Sequence, residues 1–316
     1  MQTETLQKAK RKTITDRIFR GVFFSITVFS ALIIIFITIF IVVKGSTPFF
    51  KNYEIKGGTY KVNLWKFLTG TTWFQSPNVY GAGYVILDTL YVTLVSLIIA
   101  VPISILTALF ISRIAPKVVA KILNTVIELL ASIPSVIYGL FGSAIVTIIV
   151  KNIASWPLFN YQSAGGLSGL AAAIVLAMMI IPTITMVSVT AINAVKQDQV
   201  NGALALGASV TQANFKVVLT GAKSGIFSGI ILGVGRALGE ATAVSMVIGN
   251  AGSGPNFNLF ATSRTLTSTM LLGIHETSGL DYDIRFSVGV ILIVFILLTN
   301  ILLNLVKNRM GNNHAK

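Results

Sequence analysis

The chain has no cysteine in 316 residues, so it has no disulfide framework and no thiolate chemistry. It has only two histidines, His275 and His314, far apart in sequence. A metal centre or a nucleophile–histidine–acid triad has almost nothing to be built from. Charged residues make up 11% of the chain, where a soluble domain carries roughly 25%. There is no GxxxxGK[ST] phosphate loop, because Gly221–Ala222–Lys223–Ser224 lacks a glycine directly before its lysine. Residues 233–239, GVGRALG, are spaced one position too long for a dinucleotide fingerprint and lie inside an apolar run with no strand before it. The expectation is therefore a chain with no catalytic residues, no cofactor site and no metal site.

Apolar sequence is abundant instead: 54% of residues are hydrophobic and the mean hydropathy is +0.82. Six runs are long enough to cross a bilayer, at about 21–43, 84–111, 122–150, 167–194, 224–249 and 286–306. The first follows a basic lead (Lys8, Lys10, Arg11, Lys12, Arg17, Arg20). It is not followed by a clear small-residue cleavage site, so it reads as a retained span. The net charge of +14 is spread along the flanks of these runs rather than gathered in one patch, which points to topology and away from nucleic acid. With the N-terminus inside, fifteen basic residues fall on cytosolic segments and eight outside, with Arg236 left within a span. Both termini are thus expected in the cytosol.

This reading divides the chain into a basic segment 1–20, a first span 21–43, an outer segment 44–83, a five-span core 84–306 and a tail 307–316. The outer segment holds five of the eight outer charges, as lysines that keep a loop solvated or present a positive surface. Its Trp65 and Trp73, with Tyr84, suit a membrane-interface belt. Pro102, Pro134 and Pro182 each interrupt a span, where a missing donor should bend or break the helix. Pro134, Ser135 and Tyr138 are the most marked of these break and pathway positions. The cytosolic loop 196–223 reads as two short helices separated at Gly207–Ala208, the second restarting through a Ser209/Gln212 capping box. Residues 202–207, GALALG, are apolar for a solvent-facing loop, so a partner or the bilayer surface is expected to cover them. Outside, residues 270–274 are too few to span, and His275, Glu276, Asp281 and Asp283 are expected in water.

The costliest residues lie in 220–254. Gly221, Gly225, Gly229 and Gly233 recur every fourth position and leave a groove for a second helix. Arg236 lies about 16 Å beyond Gly225 at helical rise, near the bilayer midplane. An arginine there costs roughly 2.5–3.5 kcal/mol unless it faces a polar interior. Arg236 and Glu240, four apart, share one helix face. Two readings stand: the pair neutralises itself, or Arg236 meets a passing anion or switches partners in a gate.

These residues carry a resemblance. Residues 133–142, IPSVIYGLFG, and 235–240, GRALGE, are similar to motifs of ATP-binding-cassette importer permeases, in particular the PstC-type subunit of phosphate import. Residues 264–268, RTLTS, and the first two spans extend the likeness over most of the chain. The resemblance implies an all-α membrane protein of type I importer-permease architecture, working by alternating access. It also implies a PstA-type sister permease, two PstB-type ATPase subunits, an extracytoplasmic PstS-type phosphate-binding protein and a bacterial plasma membrane. In this class an EAA–x3–G–x9–I–x–LP loop docks into the ATPase. Aligned on Gly207, this chain has Asn201, Gly202 and Ala203 for EAA and Leu219 near the end, without the acid or the proline. Ala241 stands where the family carries threonine. Alternatives are a permease for another oxyanion such as molybdate or sulfate, a stand-alone channel or secondary transporter, and a non-transporting scaffold.

Overall fold

Apolar length decides the architecture. The computed structural model describes residues 2–55, 58–74 and 79–312, with side chains over 17–54, 59–74 and 79–309. The side chains of Lys8, Lys10, Arg11 and Lys12, and residues Lys56, His314 and Lys316, lie outside the described residues. Among the described residues six helices are long and apolar enough to cross a membrane: Arg17–Phe50, Gly83–Ile114, Ser135–Ala154, Gly169–Asn193, Val210–Gly239 and Leu280–Arg309. The count matches the sequence expectation, but several bounds do not.

Helix α1 (Gln2–Phe50) runs on through Lys44 and Pro48. Two short antiparallel hairpins follow, β1 (Tyr53–Ile55) with β2 (Gly58–Tyr60) and β3 (Trp73–Phe74) with β4 (Val79–Tyr80). Between them lies α2 (Leu64–Thr69), capped by the Asn63 carboxamide. These hairpins mark one end of the molecule. Trp73 and Tyr84 do not form an interface belt. They are buried in a cluster with Phe67 and Tyr80, and Trp73 meets Tyr80 edge-on at 5.2 Å; only Trp65 is exposed.

Helices α3 (Gly83–Leu109) and α7 (Gly169–Asn193) form the central pair, and α7 buries the small residues Ala171, Ala172, Ala173 and Ala177 in the core, which lets neighbouring backbones come close. Pro102 and Pro182 lie inside these helices without ending them. The 122–150 run, by contrast, is not one span. Helix α4 (Lys117–Ser132) stops at Ile133, whose extended conformation (φ −65°, ψ 127°) follows from the clash that a following proline imposes. Pro134 then begins α5 (Ser135–Phe141), which a five-residue π turn joins to α6 (Thr147–Ala154).

At the other end, α8 (Gln197–Ala205) and α9 (Val210–Gln212) are separated by Gly207 at φ +87°, and Ser209 and Gln212 close the expected capping box. Helix α10 (Leu219–Gly239) leads back into the apolar core and ends about ten residues before the expected boundary near 249, with the short α11 (Thr242–Val247) beyond the break. Its glycine ladder lies on α7. A methyl group at Gly221, Gly229 or Gly233 would press on Val195, Val187 or Ile184, and one at Gly225 would overlap Ala191. The groove is filled from within this chain. Helix α12 (Leu266–Leu271) is buried at the hairpin end, and α13 (Leu280–Asn312) packs along α1.

The expectation that Asp283 sits in water fails. It is buried, ion-paired to Lys44 at 2.9 Å and bonded by the Tyr53 hydroxyl at 2.6 Å, so one carboxylate ties α1, the first hairpin and α13 together. Burial, and then the neighbouring Asp283, raise the Tyr53 pKa above the usual tyrosine value. Asp281 is half-buried, while His275 and Glu276 are exposed as expected.

Candidate functional site: two broken helices at mid-span

Both helix breaks fall together. Short helices α5 and α11 pack so closely that a Cβ on Gly139 would lie 2.9 Å from the Ala243 Cα and 2.6 Å from the Met246 Sδ. Pro134, exposed, and Ser135, half-buried, open α5. Tyr138 is buried one turn on, and its hydroxyl donates to the Leu130 carbonyl at 2.9 Å, bridging the Pro134 break. That carbonyl lies in the last turn of α4, where intrahelical donors run out.

Arg236 lies in the last turn of α10, where a cation suits the carbonyl end of the helix dipole. Its Nη1 donates to the Thr183 Oγ1 at 2.9 Å. Thr183 sits about 21 Å along α7 from Gly169 and about 15 Å from Asn193 at helical rise. The half-buried guanidinium therefore lies near mid-span, within electrostatic range of Tyr138.

Glu240 corrects the expectation of one shared helix face. It has left the helix (φ −76°, ψ 117°), and its Oε1 accepts the Ala243 N–H at 3.0 Å, capping α11. Its carbonyl accepts the Thr267 hydroxyl at 2.7 Å, which fixes the break to α12. No Arg236–Glu240 ion pair forms; among the described residues the ion pair present is Lys44–Asp283. Arg236 is thus left with a neutral partner.

The five loop residues lie elsewhere, beyond the Asn193 end of α7. The Asn201 Oδ1 accepts from the Gln197 Nε2 at 3.3 Å, and Gly202 is exposed. Ala203 and Leu219 pack on a shared apolar cluster with Val200 and Val218. Gly207 reverses the chain, presenting Leu206 at 91% exposure, a bare apolar tip. Arg113 steadies this end by donating to the Gln197 side chain and to the Ile192 carbonyl, both at 3.0 Å.

Sequence reasoning misses Asp88. Fully buried on α3, it accepts the Ser263 hydroxyl at 2.8 Å and the Asn256 N–H at 3.0 Å, pinning the loop that precedes α12. An acid inside an apolar run was the available signal. Arg264 and Arg285, counted with the basic residues of the outer segments, are also buried.

Six apolar helices around a charged, broken-helix centre define a multi-pass membrane protein with discontinuous helices at mid-span, the usual construction of a translocation pathway. The chain belongs to the family described as binding-protein-dependent transport system inner membrane component, which matches residues 100–312. It is 38% identical over 278 residues to a probable ABC transporter permease protein, YqgH, of Bacillus subtilis, covering 86% of this chain and 84% of that one. It is 37% identical over 248 residues to the phosphate transport system permease protein PstC of Pasteurella multocida, covering 75% and 77%. In fold it is similar to a chain of a bacterial alginate ABC transporter in complex with alginate pentasaccharide-bound periplasmic protein. That match has a TM-score of 0.63 at 18% identity, over 95% of this chain and 97% of the other.

Proposed function

We propose that this chain is the membrane-spanning permease subunit of an ATP-driven importer of inorganic phosphate. The observation that carries this reading is Arg236: a mid-span guanidinium at a helix break, held by a neutral hydroxyl and without a carboxylate at ion-pair distance among the described residues. A planar fork of N–H donors in that position matches the oxygen edge of a phosphate. Relatives named as phosphate transport permeases, the Pasteurella multocida protein among them, support the choice of anion. The excess of basic residues on one set of loops favours both termini in the cytosol and the hairpin end outside. In this arrangement a PstA-type permease completes the pathway and a PstS-type protein delivers phosphate at the hairpin end. Two PstB-type ATPase subunits dock on the 197–218 loop, where the bare Leu206 tip gives an apolar contact, and they carry out the ATP hydrolysis.

Two measurements in proteoliposomes holding the complete importer test this. Arg236→Gln is expected to cut ATP-dependent phosphate uptake about tenfold, the loss of one charge-assisted bond, with assembly unchanged. Unaltered uptake sinks the pathway role, and uptake of sulfate or molybdate in place of phosphate reassigns the substrate. Ala205→Glu, beside the Leu206 tip, is expected to leave ATP hydrolysis running while transport falls. Transport still coupled to hydrolysis removes the loop from the docking role.

A further inference from the structure

A second cationic site lies at the hairpin end. A cavity of about 460 Å³ is lined by Trp73, Phe74, Arg264, Glu276, Thr277 and Arg285 among others. Its two arginines come from separate elements, Arg264 from the loop before α12 and Arg285 from the second turn of α13. They are 8% and 5% exposed. Among the described residues each makes a single side-chain hydrogen bond, and each to a backbone carbonyl. The Arg264 Nη2 donates to the Asn250 oxygen at 2.8 Å, and the Arg285 Nη1 donates to the Thr269 oxygen at 2.7 Å. Both Nε atoms are buried without a partner among the described residues.

Burying a cation costs several kcal/mol unless a partner compensates it, and two of like sign raise that cost. Neither arginine has a carboxylate at ion-pair distance among the described residues. Asp281 stands one turn before Arg285 without reaching it, and one of its oxygens is itself buried without a partner. Glu276 is exposed at the rim. The cavity wall therefore carries two positive charges against one negative. Gly273, at φ +69°, turns the chain beside the cavity, and a Cβ built there would lie 3.6 Å from the Arg285 Nη2 and 4.0 Å from the Glu276 Oε2, ordinary contact distances. Burial lowers the Arg264 pKa from its ordinary value, the expected mark of a cation whose counter-charge is missing.

We infer that this cavity is a binding site for a tetrahedral oxyanion, which supplies the charge that the Arg264 and Arg285 side chains lack. It is distinct from the mid-span site: Arg236 takes no part in its wall. The identity of the anion as phosphate rests on the function proposed above; the anion class rests on the two arginines alone. A site here holds the anion at the hairpin end before it reaches mid-span, so the pathway has two arginine stations in series.

The test is equilibrium binding of radiolabelled inorganic phosphate to the assembled importer in detergent, without binding protein and in the Arg236→Gln background, which silences the mid-span site. Arg264→Lys and Arg285→Lys are each expected to weaken binding about tenfold, because a point charge replaces a fork. Glu276→Gln, on an exposed side chain that no fold contact needs, is expected to tighten binding about threefold by removing a like charge. Unchanged affinity in all three variants overturns the inference, as does weakening at the arginines with no gain at Glu276, because a tightened Glu276 variant is what separates loss of an anion contact from misfolding. If the variants bind phosphate unaltered while the wild-type importer still takes it up, the inference falls alone. If the wild type imports no phosphate but binds sulfate or molybdate with the same dependence on Arg264, Arg285 and Glu276, the phosphate reading falls and the site stands.

Discussion

Helix α10 uses the same residue in two opposite ways. Along Gly221, Gly225, Gly229 and Gly233 the missing side chain is space taken up by α7, down to contact with Ala191. One turn further on, at Gly235 and Gly239, a methyl group would meet nothing within 4 Å. The first set removes bulk so that two helix backbones can approach, which in a bilayer must replace the absent hydrophobic drive between helices. The second set flanks Arg236 with unfilled space up to the end of the helix before Glu240. A packed seam thus delivers α10 to mid-span, and an open end keeps the charge it carries accessible. Glycine spacing is shared by both regions; what distinguishes them is whether a neighbouring helix fills the gap.

The sharpest way to break this contrast is Gly225→Leu. Its first carbon already overlaps Ala191, and the rest of the side chain would have to displace α7. Overpacking of this kind costs about 1–3 kcal/mol or more, enough to expel α10 from its seat. The expected result is loss of monodisperse protein on size exclusion and of cooperative thermal unfolding. A folded, stable variant would mean that the close approach of α10 to α7 is not what holds the core.

The six spans, the capped loop at Ser209 and the glycine seam were all legible in the sequence, because each depends on local spacing and bilayer thickness. The breaks were not. Pro102 and Pro182 were expected to bend or break their helices, and neither breaks one: both lie within continuous α3 and α7. At Glu240 a helix ends with no proline near it, since the glutamate is recruited to cap α11 and its carbonyl is held by Thr267, a contact 27 residues away. Of the three prolines, Pro134 is the one at which a helix breaks. The buried Arg264, Arg285 and Asp283 were invisible for a similar reason. Their segments are polar and glycine-rich, and only folding of the hairpins over them removes water.

An intermediate substitution on the seam refines the contrast. At Gly233 an added Cβ would lie 2.8 Å from the Ile184 Cδ1 and Cγ1, side-chain atoms that can rotate away, where at Gly225 it meets a Cβ that cannot. Gly233→Ala is therefore expected to cost about 1 kcal/mol, the net of a rotamer shift against the helix propensity gained. A thermal midpoint lower by a few degrees than wild type, well short of the collapse at Gly225, is the result that places the two positions on one graded seam. Equal loss at both would mean that α7 is rigid in its side chains as well as its backbone.

The smallest effect on stability is expected at the open end, and it is the one that separates packing from function. Gly239→Ala adds a methyl group into empty space on an exposed position in the final turn of α10. Alanine favours helix over glycine by up to about 1 kcal/mol, so the folded protein should be unchanged or slightly more stable. The same preference works against the break at Glu240, which must leave the helix to cap α11. If the open end exists to keep that junction adjustable, uptake should fall modestly while the thermal midpoint holds or rises. A variant that loses stability would show that Gly239 is a packing glycine after all, and the two halves of α10 would then differ in degree rather than in kind.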